Sequence, residues 1–232
     1  MKSTRVLVTG ASRGIGRAIA LRFAQEGAHV ALCARSSGAL AEVAREVAQA
    51  GGVGLIQEMD VADPESVAAG VQGVLQSFGG TLNVLVNNAG IFDVVPFAET
   101  TLEVWEKFYK VDLRSAWLVT RCALDGLRAG SPAHVFNIAS VAAQQGFAGS
   151  STYCAMKAGL MGFSNGLRED LRADEIRVST VYPGATDTEI FDGVAGDWDR
   201  ESMNRPEDVA EIVWAGLNTD GDAADLAVPP PE

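Results

Sequence analysis

The chain predicts a doubly wound α/β domain, a parallel sheet of about seven strands with helices on both faces. Three observations carry that prediction. Short β-branched runs alternate with helical patterns along the whole sequence. Most of the runs are continuously apolar, as expected of strands covered on both faces of a parallel sheet. The first run leads straight into a glycine-rich turn, TGASRGIG, which opens an amphipathic helix, IGRAIALRFAQEG. At 232 residues and 47% apolar, the sequence suffices for one large domain over 1–232 without covalent or metal staples.

In order, RVLVT predicts a strand over 5–9, and the helix that follows the glycine turn spans 14–26. Strands are expected over 28–33, 54–59, 82–86 and 133–138, where the apolar runs are short and bounded by Gly, Pro, Asn or Asp. Helical patterns fill the gaps over 37–50, 64–78 and 102–127. A helix over 152–171, a strand over 177–182, a helix over 206–217 and a last strand over 226–228 complete the alternation. Arg205-Pro206-Glu207-Asp208 reads as a turn entering the final helix. No repeat, linker or low-complexity tract interrupts the pattern, apart from the Pro-rich VPPPE.

Composition excludes several roles. A net charge of −12 argues against nucleic acid and anionic membranes, which both demand a cationic face. No apolar run approaches the ~18 residues a membrane span needs, and MKSTRVLVTG reads as a strand rather than a signal-peptide core. Cys33, Cys122 and Cys154 are unclustered and match no metal-ligand spacing. They predict core-filling thiols in a reducing cytoplasm and no metal site, and His29 and His134 precede apolar runs as structural residues. From Asp187 to Asp225, twelve Asp and Glu face two Arg.

The glycine turn points to a phosphate. Gly10, Gly14 and Gly16, with Ser12, Arg13 and Ile15 between them, suit a tight strand-to-helix turn whose amides approach a pyrophosphate at the helix N-terminus. A nicotinamide dinucleotide site built for a free 2′-hydroxyl usually places a carboxylate at the end of the second strand. Here that position reads Ala34-Arg35-Ser36, and Arg13 supplies a second cation. Two arginines suit a 2′-phosphate, so NADP(H) is favoured over NAD(H).

Tyr153-Cys-Ala-Met-Lys157 puts a phenol and an ammonium on one helical face, about 5–6 Å apart at Cβ. A free tyrosine has a pKa of about 10, too high for proton exchange near neutrality, and an adjacent cation favours the phenolate. Such a tyrosine can donate a proton to a carbonyl oxygen and reclaim it in reverse.

With the glycine turn, Asn-Asn-Ala-Gly at 87–90, Ser140 and YCAMK in this order, the chain resembles a short-chain dehydrogenase/reductase over nearly its whole length. The resemblance implies a Rossmann-type fold and a catalytic set of Ser140, Tyr153 and Lys157. Ser140 would hydrogen-bond the substrate oxygen, and Lys157 would hold the ribose hydroxyls and tune the phenol. It places Asp60 and Val61 at the adenine, and gives Asn87, Ala89 and Gly90 the support of the central strand and the lining of the cofactor groove. Pro183, Gly184 and Thr186 would flank the nicotinamide, with Thr188 bonding its carboxamide or phosphate. The resemblance also implies a homodimer or homotetramer, with Ala155, Ala158, Gly159 and Gly162 keeping a helix slim enough for close packing within or between subunits.

The chain departs from the family pattern at Asp112, where many relatives have an asparagine. Asp112 offers the same backbone carbonyl. Its carboxylate would either pair with Lys157, weakening a proton relay, or cap the helix and face solvent. The segment over 187–205 is short for the family's substrate lid, and the Gly-rich tail typical of relatives is missing. Ala142, Gln144, Phe147, Ala148, Ala185, Phe191 and Trp198 are the expected pocket, a mostly apolar space. The expected activity is hydride transfer between NADP(H) and a small carbonyl or alcohol. Reduction of a 3-ketoacyl group on acyl carrier protein ranks second, because that partner is acidic and would need a basic patch to which only Arg128 and Arg172 could contribute. A non-catalytic NADP(H) sensor is the other alternative, and the presence of both Tyr153 and Lys157 counts against it.

Overall fold

A computed structural model describes residues 4–219 and 224–230. Seven strands form one parallel sheet in the order β3-β2-β1-β4-β5-β6-β7. They are β1 (Arg5–Thr9), β2 (His29–Ala34), β3 (Val53–Glu58), β4 (Val84–Asn87), β5 (Ala133–Ile138), β6 (Ile176–Tyr182) and β7 (Asp225–Ala227). The helices between them are α1 (Gly14–Ala24), α2 (Ser37–Gln49), α3 (Pro64–Ser77), α4 (Leu102–Phe108), α5 (Ser115–Ala129), α6 (Ser151–Leu171) and α7 (Pro206–Asn218). The strand order reverses between β1 and β4, the place where a doubly wound sheet opens a crevice at its carboxyl edge.

Side chains alternate across the strands, so each strand feeds two cores. Val6 and Val8 join Ile19, Phe23, Leu40 and Val213 beneath α1, α2 and α7. Leu7 turns the other way, to Leu85, Val71, Val119 and Leu127 beneath α3 and α5. Continuous apolar runs therefore describe the central strands β1, β4 and β5. They do not describe the edges: Val53 and Ile56 of β3 are exposed, and both ends of the short β7 are open to solvent.

The expected helix over 102–127 is not one regular helix. A π-helical turn, Tyr109–Arg114, separates α4 from α5. Its wider turn shifts the helical phase, and Asp112 becomes buried at 2% exposure within it. The histidine and cysteine expectations hold at two buried positions. His134 stacks on Phe136 with centroids 3.9 Å apart and meets the Ser179 hydroxyl at 2.8 Å, and burial pushes its pKa down to about 3. Burial pushes the Cys33 thiol up to about 12. Among the described residues no helix is long and apolar enough to cross a membrane, and no cluster of potential ligands could hold a metal ion.

Candidate active site

The glycine turn is built by close approach. Gly10 and Gly14 have positive φ, +64° and +52°. A Cβ on Gly10 would lie 2.9 Å from the Ala89 Cα, and one on Gly16 would run into the Gly10 carbonyl. On Gly14 it would lie 2.9 Å from the Thr188 methyl. Arg13 precedes α1 without a side-chain cap, so the first amides of the helix are left for another acceptor. They open on a cavity of about 500 Å³ lined by Ser12, Arg13, Gly14 and Thr188, with Glu42, Asp187 and Glu189 at its rim. Ile15 instead packs against the core.

Two residues absent from the sequence-based site lock this turn. The Asn88 side-chain amide donates to the carbonyls of Thr9 at 2.9 Å and Gly10 at 3.3 Å. The Thr9 hydroxyl accepts from the backbone amides of Asn88 at 2.9 Å and Ala89 at 3.0 Å. Asn88 lies inside the Asn-Asn-Ala-Gly motif, which was the available signal. Asn87 turns the other way. Its amide donates to the Thr120 hydroxyl at 3.0 Å and to Asn137 Oδ1 at 2.8 Å, and Asn137 in turn donates to the Ser164 hydroxyl at 2.8 Å. Its side chain therefore ties the central strands to α5 and α6 and does not face the groove.

Arg13 and Arg35 are exposed, and among the described residues neither side chain has a hydrogen bond or ion pair. Arg17, nearby, is committed to Glu46 through two bonds of 2.7 and 2.8 Å. Ser36 caps α2 at Ala39, and Asp60 accepts from the Ala62 amide at 2.9 Å with Val61 buried beside it. Pro183 and Gly184 follow β6. The Thr186 hydroxyl donates to the Gly184 carbonyl at 3.1 Å, and Thr188 caps a short turn at Ile190. A glycine cradle with free amides and two unpaired guanidiniums beyond it fits a phosphorylated dinucleotide.

The expected catalytic side chains meet at the carboxyl ends of β4 and β5. Ser140, just past β5, accepts from the Ala142 amide at 3.1 Å, and its hydroxyl is near enough to the Tyr153 phenol to favour the phenolate. Lys157, one turn further along α6, is 4% exposed. Its ammonium donates to the Ile138 carbonyl at 3.1 Å and lies 5.6 Å from the centre of the Tyr153 ring. Asp112 Oδ1 is 3.5 Å from that ammonium and accepts from the Ile91 amide at 3.2 Å, while its buried Oδ2 has no hydrogen-bond partner among the described residues. Of the two placements open for Asp112, the structure adopts the pair with Lys157. Gly90 makes room, since a Cβ there would lie 2.9 Å from Asp112 Oδ1.

Burial pushes the Asp112 carboxyl up to about 6 against the pull of the Lys157 charge. Burial also raises the Tyr153 phenol, which Lys157 and the nearby Ser140 hydroxyl counteract and the Asp112 charge reinforces. The expected lowering by lysine is present but does not win in the protein alone, because desolvation of the ring is the larger effect.

A cluster of rings closes over Tyr153. Phe92, not foreseen from the sequence, stands at its centre, with Tyr153 at 4.9 Å, Phe191 at 5.3 Å, Trp198 at 5.7 Å and Phe147 at 6.2 Å between centroids. Ala142 is buried next to Ser140, whereas Gln144, Ala148 and Ala185 are exposed. Phe191 and Trp198 lie in the segment between β6 and α7, pinned by Arg200. That guanidinium bonds Asp187 at 2.8 Å, Asp192 at 2.9 Å and the Thr188 carbonyl at 2.8 Å.

A dinucleotide-type sheet with Ser, Tyr and Lys at its carboxyl edge defines an oxidoreductase architecture. Residues 4–197 match the family model for short-chain dehydrogenases, and the chain belongs to that family. It is 34% identical over 227 residues to the 3-oxoacyl-[acyl-carrier-protein] reductase FabG of Pseudomonas aeruginosa, covering 94% of this chain and 90% of that one. It is 36% identical over 190 residues to the probable oxidoreductase EphD of Mycobacterium bovis, covering 81% of this chain but only 32% of EphD's length. Its fold superimposes on the alcohol dehydrogenase of Thermococcus sibiricus complexed with 5-hydroxy-NADP, with a TM-score of 0.90 and 27% identity over the whole of both chains.

Proposed function

We propose that this chain is an NADP(H)-dependent carbonyl reductase or alcohol dehydrogenase for small uncharged substrates. The observation that carries the proposal is the convergence of Ser140, Tyr153 and Lys157 beside an open glycine cradle. Gly10, Ser12, Gly14, Gly16 and Thr188 would hold the pyrophosphate, Asp60 and Val61 the adenine, and Arg13 and Arg35 the 2′-phosphate. Ala89, Gly90, Pro183, Gly184 and Thr186 would line the nicotinamide end. NADP in the likeness to the Thermococcus sibiricus enzyme supports this assignment. When bound, the cofactor supplies or accepts the hydride.

The remaining chemistry belongs to the chain. The Ser140 hydroxyl orients the substrate oxygen, and the Tyr153 hydroxyl gives that oxygen a proton during reduction and takes it back during oxidation. Lys157 lowers the cost of the phenolate through its charge. Asp112 and the Ile138 carbonyl fix the ammonium in place. The Phe92 cluster excludes water from the phenol.

Reduction of an acyl-carrier-protein substrate, suggested by the likeness to FabG, fits less well. Arg128 is paired with Asp174 at 2.9 Å and Arg172 with Glu169 at 2.8 Å, so the two arginines offered for docking add no net positive charge to the surface. We place the chain as a single domain with a short lid over 187–205, in the cytoplasm. A homodimer or homotetramer is supported by the exposed Leu102, Trp105 and Trp117 of α4 and α5. Gly162 is open beyond 4 Å, as such a contact needs, whereas Gly159 is used internally, against Leu113.

NADPH oxidation against a panel of ketones and aldehydes tests the proposal, with NADH as the cofactor control. Turnover with NADPH supports it. Tight NADPH binding with no turnover of any carbonyl favours a sensor, and a preference for NADH removes the role given to Arg13 and Arg35.

A further inference from the structure

The ring cluster bears on what the site accepts, an inference that rests on the reductase reading above. Three separate segments send rings to one point. Phe92 follows β4, Phe147 follows β5, and Phe191 and Trp198 follow β6. Phe92 meets Tyr153, Phe191 and Trp198 edge-on, at interplanar angles of 72°, 63° and 75°. Edge-to-face contact at these separations is a geometry specific to π-systems, and a wall built to hold an aliphatic chain does not require it.

The outer rings are held less firmly than the inner ones. Phe147 is 43% exposed, and Phe191 and Trp198 meet each other tilted by 50° with centroids 4.8 Å apart. Their segment is pinned by the surface ion pairs of Arg200, which also covers the far side of Phe191 at 5.5 Å. Such exposed pairs release at small cost. Charge narrows the choice further. Among the described residues the only cations against the rings are Lys157, held by Asp112, and Arg200, held by Asp187 and Asp192. Each of these cations is already balanced by carboxylates, so the cluster presents no net positive charge to a substrate carboxylate or phosphate.

We propose that the substrate is an uncharged aryl ketone or aldehyde. Its ring takes the place against Phe92 that Phe191 and Trp198 hold in this structure, and Phe92 is the residue that sets this selectivity. Phe92 and Tyr153 are 4.9 Å apart between ring centres, so a substrate ring seated on Phe92 would lie in the neighbourhood of the phenol. Phe191, Trp198 and Phe147 then become its outer walls.

The test compares acetophenone with cyclohexyl methyl ketone, which share a skeleton and differ in the π-system, using wild type and Phe92→Leu with NADPH. Intrinsic reactivity cancels when the two proteins are compared. The aryl-to-cyclohexyl ratio of kcat/KM falls about three- to tenfold in Phe92→Leu, whatever change is common to both substrates. Phe92→Tyr restores the ratio, which a general folding defect would not allow.

A second readout needs no turnover: calorimetric binding of 1-phenylethanol and 1-cyclohexylethanol to the protein with NADP+. If the alcohols show the same Phe92-dependent ratio while no ketone is reduced, the aryl site stands and the reductase reading fails. An unchanged ratio in Phe92→Leu, or wild-type binding of neither alcohol, overturns the aryl assignment and leaves the reductase reading to the carbonyl panel.

Discussion

The two sides of the active site are built by opposite means. On the α6 side, Lys157 and Asp112 are buried and tied to backbone groups of β5 and of the chain after β4. On the side between β6 and α7, Arg200 bridges exposed carboxylates and the rings of Phe191 and Trp198 lean on Phe92. The first arrangement surrounds the proton donor with buried, bonded groups, in keeping with the fixed geometry that proton transfer requires. The second can be displaced cheaply, as substrate entry requires. Chemistry and admission are thereby assigned to different kinds of interaction.

Changes on the rigid side carry the largest effects. Tyr153→Phe removes the proton donor while keeping the ring against Phe92, and kcat/KM is expected to fall about 10²- to 10⁴-fold with NADPH affinity unchanged. Steady-state kinetics beside a fluorescence titration of NADPH separate the two quantities. Gly16→Ala sets a methyl against the Gly10 carbonyl and the Asn88 amide, and loss of detectable NADPH binding follows if that approach is as tight as it stands here. Retained affinity would show that the turn can relax.

Arg35→Ala tests the adenosine end, which is open to solvent like the lid. Loss of a charge-assisted bond raises KM for NADPH about tenfold to a hundredfold and leaves KM for NADH unchanged. Equal effects on both cofactors would contradict a 2′-phosphate contact.

Asp112→Asn sharpens the contrast through pH. The Asp112 charge raises the Tyr153 pKa, so removing it moves the acidic limb of alcohol oxidation, where Tyr153 must be deprotonated, to lower pH. Stability gives an independent sign. A carboxyl raised from 3.8 to about 6 on folding keeps its proton in the native state while the unfolded chain loses it. Its support is complete below pH 3.8 and lost as pH rises to about 6, so wild type loses stability relative to the variant across that window. Denaturant melts of both proteins from pH 4 to 7 read this directly, and parallel curves would place the carboxyl outside the buried pair.

The smallest effect belongs to the lid. Arg200→Ala breaks exposed ion pairs together with one bond to the Thr188 carbonyl and the cover on Phe191, so Tm is expected to fall by no more than a few degrees while KM for the carbonyl shifts no more than a few-fold. A collapse in kcat would mean the lid does more than admit substrate.

The same division explains what was legible in the sequence. Gly10, Gly14, Gly16 and the Tyr153–Lys157 spacing are local patterns, and local geometry suffices to read them. Phe147, Phe191 and Trp198 could be named as pocket residues from their position. The role of Phe92 could not, because it exists only through contacts with residues more than fifty positions away. The π-helical turn at Tyr109–Arg114 escaped for a related reason. Its apolar pattern continues the helix on either side, and the burial of Asp112 beside Lys157 and Gly90 decides the phase. Asn87 and Asn88 are adjacent and chemically identical, and only the pleat of β4 sends one to the sheet interior and the other to the glycine turn.

The most direct measurement is single-turnover NADPH oxidation with acetophenone by wild type and Tyr153→Phe, at NADPH occupancy verified to be equal. Rapid oxidation by the wild type and a loss of about 10²-fold or more in the variant would establish Tyr153 as the proton donor of an NADPH-dependent reductase. Equal rates in both proteins would remove Tyr153 from the chemistry and, with it, the function assigned to this site.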